Sequence, residues 1–515
     1  MARLGKFMDQ AIQLIFGTLV AISCVFAFSS PNFKMVHFFG HYWAKIIGIC
    51  VTLILLWLLW RPKVRHWLKN FAFSWRWAAL GVVVLFAYQM VMYWQLTLIP
   101  NWDPGTIMNN VPENTSYFYF SVNYNNTLLL LLEKGLWHML VPGLFSQFTS
   151  ALLVVNAIVL DSALLAVYTI GRRLKDQHLA SLLFCLGLLF WGLSPWILVF
   201  YSDTLGIFAI AFLMLVAILL WQAQRTWQRL VWAGVYGLLA LISFWLKPTS
   251  LIFSIAFLLV VLVKALRQSS TWRQKLVGLV CILGIAGILG GGSKLYTNYI
   301  YSTMTFQMWG QQKKLNPALR MPPTHFIAMG LTLIGGFNPE DTKASYEAPT
   351  YQARDEMNRQ KIKTRLKNYG VWRYLNFLIL KFNNNIGNGN FTWDGDVTFR
   401  AKNNPRPLNL ISRFSRALNY GKAKLRDPMR FVNQITWILL LLMSWVSVLA
   451  NPKTGRWLLR TCQLTVVGVL IYLLIFEGGT SRYVFMWLPC FVVCGAYGLD
   501  QYWRLPFDQL FKRKV

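Results

Sequence analysis

Five charged side chains and one tyrosine stand where acid–base and anion chemistry could be done. Asp103 lies in Asn101-Trp-Asp-Pro-Gly105, Asp203 in Tyr201-Ser-Asp-Thr204 and Lys247 in Leu246-Lys-Pro-Thr-Ser250. Glu477 and Arg482 bracket Gly478-Gly-Thr-Ser481, and Tyr483 follows. A carboxylate beside a reacting hydroxyl can take its proton as the oxygen attacks. A fixed cation can stabilise charge on a departing group, more so at a partly dry surface than in water. A guanidinium adds a planar fork that grips two anionic oxygens at once. Asp203 has two further uses, orienting an incoming hydroxyl or helping to hold a divalent cation. Each residue also has a structural use. Asp-Pro-Gly makes turns, Asp203 can cap the helix that follows it, Lys247 can snorkel towards headgroups, and Glu477 can pair with Arg482.

Other reactive side chains point elsewhere. Asp161 sits beside Asn156 inside an apolar run, where an acid either serves function or bonds to a neighbouring helix. His138 and His325 have no histidine or aspartate at ligand spacing, so no metal centre is expected, and His138 stands only as a supporting candidate. The seven cysteines all fall in apolar runs and read as packing residues.

The elements that must position these residues are membrane helices. Of the 515 residues, 56% are hydrophobic and 13% charged, whereas a globular chain carries about a quarter charged residues. The apolar residues gather into uncharged runs of roughly 15 to 22, enough to cross or nearly cross a hydrocarbon core of about 30 Å. Trp57, Trp60, Trp75, Trp77 and Trp94 flank such runs, as interfacial aromatics do. The expected fold is an all-α polytopic membrane protein of about twelve spans. These lie near residues 11–28, 43–60, 77–99, 146–170, 179–193, 205–221, 230–246, 251–263, 276–289, 435–450, 464–476 and 483–499. The first lacks a small-residue cleavage site and reads as a retained helix.

Every second loop is basic: Arg61 to Arg76, Arg172 to Lys175, Arg225 and Arg229, Lys264 to Lys275, and Lys453 to Arg460. The rule that cytoplasmic loops carry Lys and Arg puts these loops and both termini inside. That gives the formal charge of +32 a simpler home than nucleic acid, which is not expected as a partner. The candidate residues then share one depth on the outer face. Three divisions follow: 1–293 as a transmembrane module with a first external loop at 100–145, 294–434 as an external domain with its own helix near 350–369, and 435–515 as the final spans and tail. Within the first loop, Thr127–Leu140 is too short to span and should lie along the surface. The segment 290–434 carries 22 Lys and Arg against 8 Asp and Glu, and long loops cross regardless of charge.

The arrangement resembles the GT-C superfamily of membrane glycosyltransferases, which includes protein O-mannosyltransferases and aminoarabinose transferases. The resemblance rests on Asn-Trp-Asp103-Pro-Gly followed by the leucine-rich stretch to Leu140. More closely, Val122-Asn-Tyr-Asn-Asn126, Tyr201-Ser-Asp-Thr-Leu205, Lys247-Pro-Thr-Ser250, Gly335-Gly-Phe-Asn-Pro-Glu-Asp341 and Ser481-Arg-Tyr483 with Pro489 resemble Gram-positive bacterial members. It implies a sugar donor on a polyprenyl phosphate, an acceptor outside the cytoplasmic membrane, Asp103 as general base and inversion at the anomeric carbon. Arg482 and Lys247 would hold the donor phosphate, with Glu477, Tyr483 and His138 in support. The acceptor is expected to be an anionic cell-envelope polymer, a glycolipid or a protein; membrane lipids are the other partners, and no cofactor is expected beyond a divalent cation. Two departures stand out: two spans, rather than one, precede the helix leading to Asp103, and no acidic pair follows it directly. Twelve spans with both ends inside also suit a transporter or lipid-linked sugar flippase, although such carriers usually show two matching halves. A non-catalytic assembly partner and a hydrolase are the remaining alternatives.

Overall fold

A computed structural model describes residues 2–33, 40–96, 102–141, 143–267, 271–393, 409–419, 423–476 and 478–504. The chain is an all-α polytopic membrane protein. Among the described residues, ten helices are long and apolar enough to cross a bilayer, and they occupy ten of the expected positions. The fifth and twelfth positions hold shorter apolar helices, Gln177–Gly192 and Leu488–Tyr502. The twelfth is almost wholly buried and packs closely on the tenth, Ala423–Val446. A Cβ at Gly498 would meet the Met443 carbonyl oxygen at 1.6 Å, so the two backbones approach only because that side chain is missing.

Two expected boundaries move. The ninth span does not stop near Leu289 but runs through Trp272–Thr303, so a division at 293/294 would cut a helix. Gly290-Gly-Gly292, just past the expected end, continues the helix. A Cβ at Gly292 would lie 2.3 Å from Leu241 Cδ2, so glycine there serves close packing against the seventh span, Thr226–Leu246. The division at 434/435 likewise falls inside Ala423–Val446.

Outside the spans, Thr305–Met308 pairs antiparallel with Gln311–Lys314. The turn between them uses Trp309 at φ 51 and Gly310 at φ 79, the twist that two-residue hairpins prefer. The helix expected near 350–369 extends over Tyr351–Ile386 and is kinked at Gly370, whose φ is 58. Its Arg354 is fully buried and donates to the carbonyls of Ala318, Arg320, Ser345 and Ala348. One guanidinium thus satisfies four carbonyls and ties together two chain segments.

Three local devices fix where the candidate residues emerge. Asn156 Nδ2 donates to Ile197 O at 2.7 Å, bracing the turn ahead of the sixth span, Ser202–Gln222. Thr204 Oγ1 accepts from Tyr201 N at 3.2 Å and donates to Val199 O at 3.0 Å, closing the helix start. Asp203 therefore stands in the first turn, where the helix dipole favours an acid. Asp161 accepts from Gln89 Nε2 of the third span at 3.1 Å, the structural one of its two readings.

Candidate active site

Asp103 opens the short helix Asp103–Asn109, with Pro104 in its first turn. Asn110 ties down the chain beyond it, accepting from Thr115 N at 2.9 Å and Ser116 N at 2.8 Å. The Asp103 carboxylate accepts from Tyr201 Oη at 2.9 Å. Tyr119 also bonds to it and is itself held by Asn126 Nδ2 at 2.7 Å. Burial first, and then the Asp103 charge, raise both phenols well above their ordinary range. They stay protonated donors, and the carboxylate is aimed by two hydroxyls.

Asp203 has a side chain only 1% exposed, and it forms an ion pair with Lys247. Arg482 Nε lies 3.7 Å from its second oxygen. One buried carboxylate thus holds two cations in place, one at each oxygen. The pair is further fixed by aromatic faces. The Arg482 guanidinium carbon lies 4.4 Å from the Trp102 ring centroid and 5.1 Å from that of Tyr483. Lys247 Nζ lies 5.2 Å from the Tyr483 ring, and the Trp102 and Tyr201 rings meet edge to face at 4.9 Å.

Asp103, Asp203, Lys247, Arg482 and Tyr483 line one cavity of about 810 Å³. The structure therefore brings together five of the seven candidates. Glu477 lies outside the described residues. His138 does not join the site: it is exposed on Thr127–Leu140, while the buried side of that helix carries Leu129, Leu130 and Glu133. Five residues beyond Glu133 is a rotation of roughly 140°, which turns His138 away.

The rest of the wall comes from the segment beyond the ninth span. His325, Thr342 and Tyr346 face the cavity. His325 is buried, its Nδ1 lies 2.8 Å from Ser345 Oγ, and burial pushes its pKa down to about 4. Burial alone would raise Asp341, but Arg365 and Lys361 outweigh it and hold this acid below its usual range. Neither the tyrosines nor His325 had a local signature, because their partners are far away in sequence. Tyr119 and Tyr201 could have been found only as phenols flanking the two aspartates.

The loop carrying Arg482 is clamped by this same segment. Lys381, fully buried, donates to Gly330 O at 2.7 Å, Leu474 O at 3.0 Å and Phe476 O at 2.6 Å. Gly478 N donates to Gly335 O at 2.8 Å, and Ser481 N donates to Thr392 Oγ1 at 3.1 Å. A carboxylate aimed by phenols, facing two cations fixed by a buried acid, can accept a proton on one side while stabilising an anion on the other. Among the described residues no group of three or more His, Cys, Asp or Glu side chains is placed to hold a metal ion, and both oxygens of Asp203 already face cations.

A family model described as "Conserved hypothetical integral membrane protein" matches residues 4–503. No curated protein matches the sequence. Among solved structures, the chain is similar to the archaeal oligosaccharyltransferase AglB from Archaeoglobus fulgidus in complex with an inhibitory peptide and a dolichol-phosphate. The identity is 12% and the TM-score 0.40, over 86% of this chain and 52% of that one. The chain thus spans about half the length of that protein.

Proposed function

The chain belongs to the family of conserved hypothetical integral membrane proteins, and from that premise we propose that it is a membrane glycosyltransferase. The donor is a sugar carried on a polyprenyl phosphate, and the acceptor is a hydroxyl of an extracytoplasmic polymer, glycolipid or protein. The observation that carries this reading is the shared cavity of Asp103 with Lys247 and Arg482 at the ends of the spans. In the reaction the acceptor oxygen bonds to the anomeric carbon as the carbon–oxygen bond to phosphate breaks. The electron pair leaves with the phosphate, and the acceptor proton passes to Asp103. Lys247 and Arg482 stabilise the phosphate as its charge grows. One base and direct displacement invert the anomeric centre.

Asp203 acts in this scheme by holding the two cations in place. It is a positioning residue, because its oxygens are taken up by Lys247 and Arg482. The site faces the outside of a bacterial cytoplasmic membrane, and the basic segment beyond the ninth span draws in an anionic acceptor.

The test uses purified protein in vesicles containing a polyprenyl-phosphate sugar labelled on the sugar. Release of free polyprenyl phosphate that requires an added acceptor is the expected result. Movement of intact donor between leaflets, with no release, would make the protein a flippase instead.

A further inference from the structure

The sixth span joins the site above to a second cavity. Asp203 begins that helix and Trp221 ends it, a separation of roughly 27 Å along the axis. Around Trp221 lies a cavity of about 600 Å³, lined by six cations and one acid. Arg173 and Lys175 come from the end of the fourth span, Lys264 from the eighth, and Lys453, Arg456 and Arg460 from the start of the eleventh. The acid is Asp9 of the first span.

We propose that this cavity binds the phosphate headgroup of an anionic phospholipid from the leaflet on that side. Charge is the first argument. Asp9 is already shared by Arg456 at 2.6 Å and Arg460 at 3.0 Å. Arg173, Lys175, Lys264 and Lys453 have no ion pair among the described residues. Clustered cations repel one another, and an anion between them relieves that repulsion.

Construction is the second argument. A bias of Lys and Arg towards one side explains charge in loops, but it does not explain a built cavity. Arg460 is only 4% exposed, and Gln463 Oε1 accepts its second bond at 2.6 Å. Lys264 Nζ sits 3.7 Å over the Trp221 ring, and Trp221 stacks on Trp457 at 4.4 Å. Beneath the cations the wall turns apolar, with Ile12, Val260 and Val263 contributed by the spans themselves. A soluble anion has no use for that wall. A phosphate joined to acyl chains matches both halves, and basic pockets between spans take such headgroups. No carboxylate here is free to act as a base, so the site binds and does not catalyse.

The experiment is native mass spectrometry of the full chain released from mixed micelles of phosphatidylglycerol and phosphatidylcholine. One phosphatidylglycerol is expected to stay bound in preference to phosphatidylcholine. Lys264→Gln with Lys453→Gln should weaken retention by about fivefold for each lysine, about twenty-five-fold together. Both positions are exposed, so folding is retained. Lys264→Arg with Lys453→Arg keeps the charge and should keep the lipid. Equal retention by the wild type and the double glutamine variant would reduce the bound lipid to an unspecific annulus and overturn the proposal. Displacement of phosphatidylglycerol by an equal concentration of inorganic phosphate would overturn it as well, by making the ligand a free anion.

Discussion

At one end of the sixth span two acids and two cations share a cavity with four tyrosines and Trp102. At the other end six cations face a single acid that is already taken. Both cavities sit where helices end, and both put an arginine or lysine against an indole face. They differ in what their acids do. Asp9 and Asp203 are both spent on neutralising cations, whereas the partners of Asp103 among the described residues are the hydroxyls of Tyr201 and Tyr119. A neutralised acid builds a binding site. An acid aimed by neutral donors is still able to accept a proton, and that single residue separates a site fit for group transfer from one fit for binding.

The sharpest way to break the comparison is to remove that residue's basicity. Asp103→Asn retains both phenolic partners and should fold and bind donor, while transfer falls by at least about a hundredfold, the scale of a lost general base. Steady-state release of polyprenyl phosphate measures it. Near-normal turnover would erase the difference between the two cavities.

A smaller effect is expected from Arg482→Lys. The charge remains, but the fork and the stack on Trp102 and Tyr483 are lost. Transfer should fall by roughly tenfold or more, with unchanged thermal stability. Unchanged donor turnover would take Arg482 away from the phosphate.

The third prediction sharpens the comparison through pH. His325 is buried on the wall of the first cavity, with its pKa lowered from 6.5 to about 4. The unfolded chain therefore binds a proton that the folded chain refuses across that interval. Stability from this residue is complete above pH 6.5 and is lost as pH falls towards 4, by on the order of 2–3 kcal/mol. Unfolding temperatures measured from pH 7 to pH 4 should decline less in His325→Gln. Identical slopes would mean that His325 is solvated in the folded protein.

Much of the frame was legible because membrane helices announce themselves by length and apolarity. Thr127–Leu140 coincides with the expected short helix, and all twelve expected spans have a helix. Asp103, Asp203, Lys247 and Arg482 could be grouped because alternating loops put them at one depth. What escaped was whatever depends on partners distant in sequence. His325 and Tyr346 reach the cavity only through the folding of the segment beyond the ninth span, and no periodicity marks that. Glu133 looked like part of a surface helix, yet it is fully buried, and burial raises its pKa well above the ordinary carboxylate range. His138, on the same helix, faces the other way. The true end of the ninth span was not legible either, because the packing of Gly292 against Leu241 depends on a partner about fifty residues earlier.

Lys381 has a consequence for how the protein is made. Of its carbonyl partners among the described residues, Gly330 precedes it in the chain, while Leu474 and Phe476 are synthesised much later. A buried ammonium is costly to leave short of acceptors, and two of the acceptors described for this one arrive only with the eleventh span. With them in place the lysine locks the loop that presents Arg482 beside Asp103. Assembly of the site is therefore one of the last events of biogenesis, and a ribosome-bound intermediate lacking that span holds an open cavity with Lys247 but not yet Arg482 in its wall.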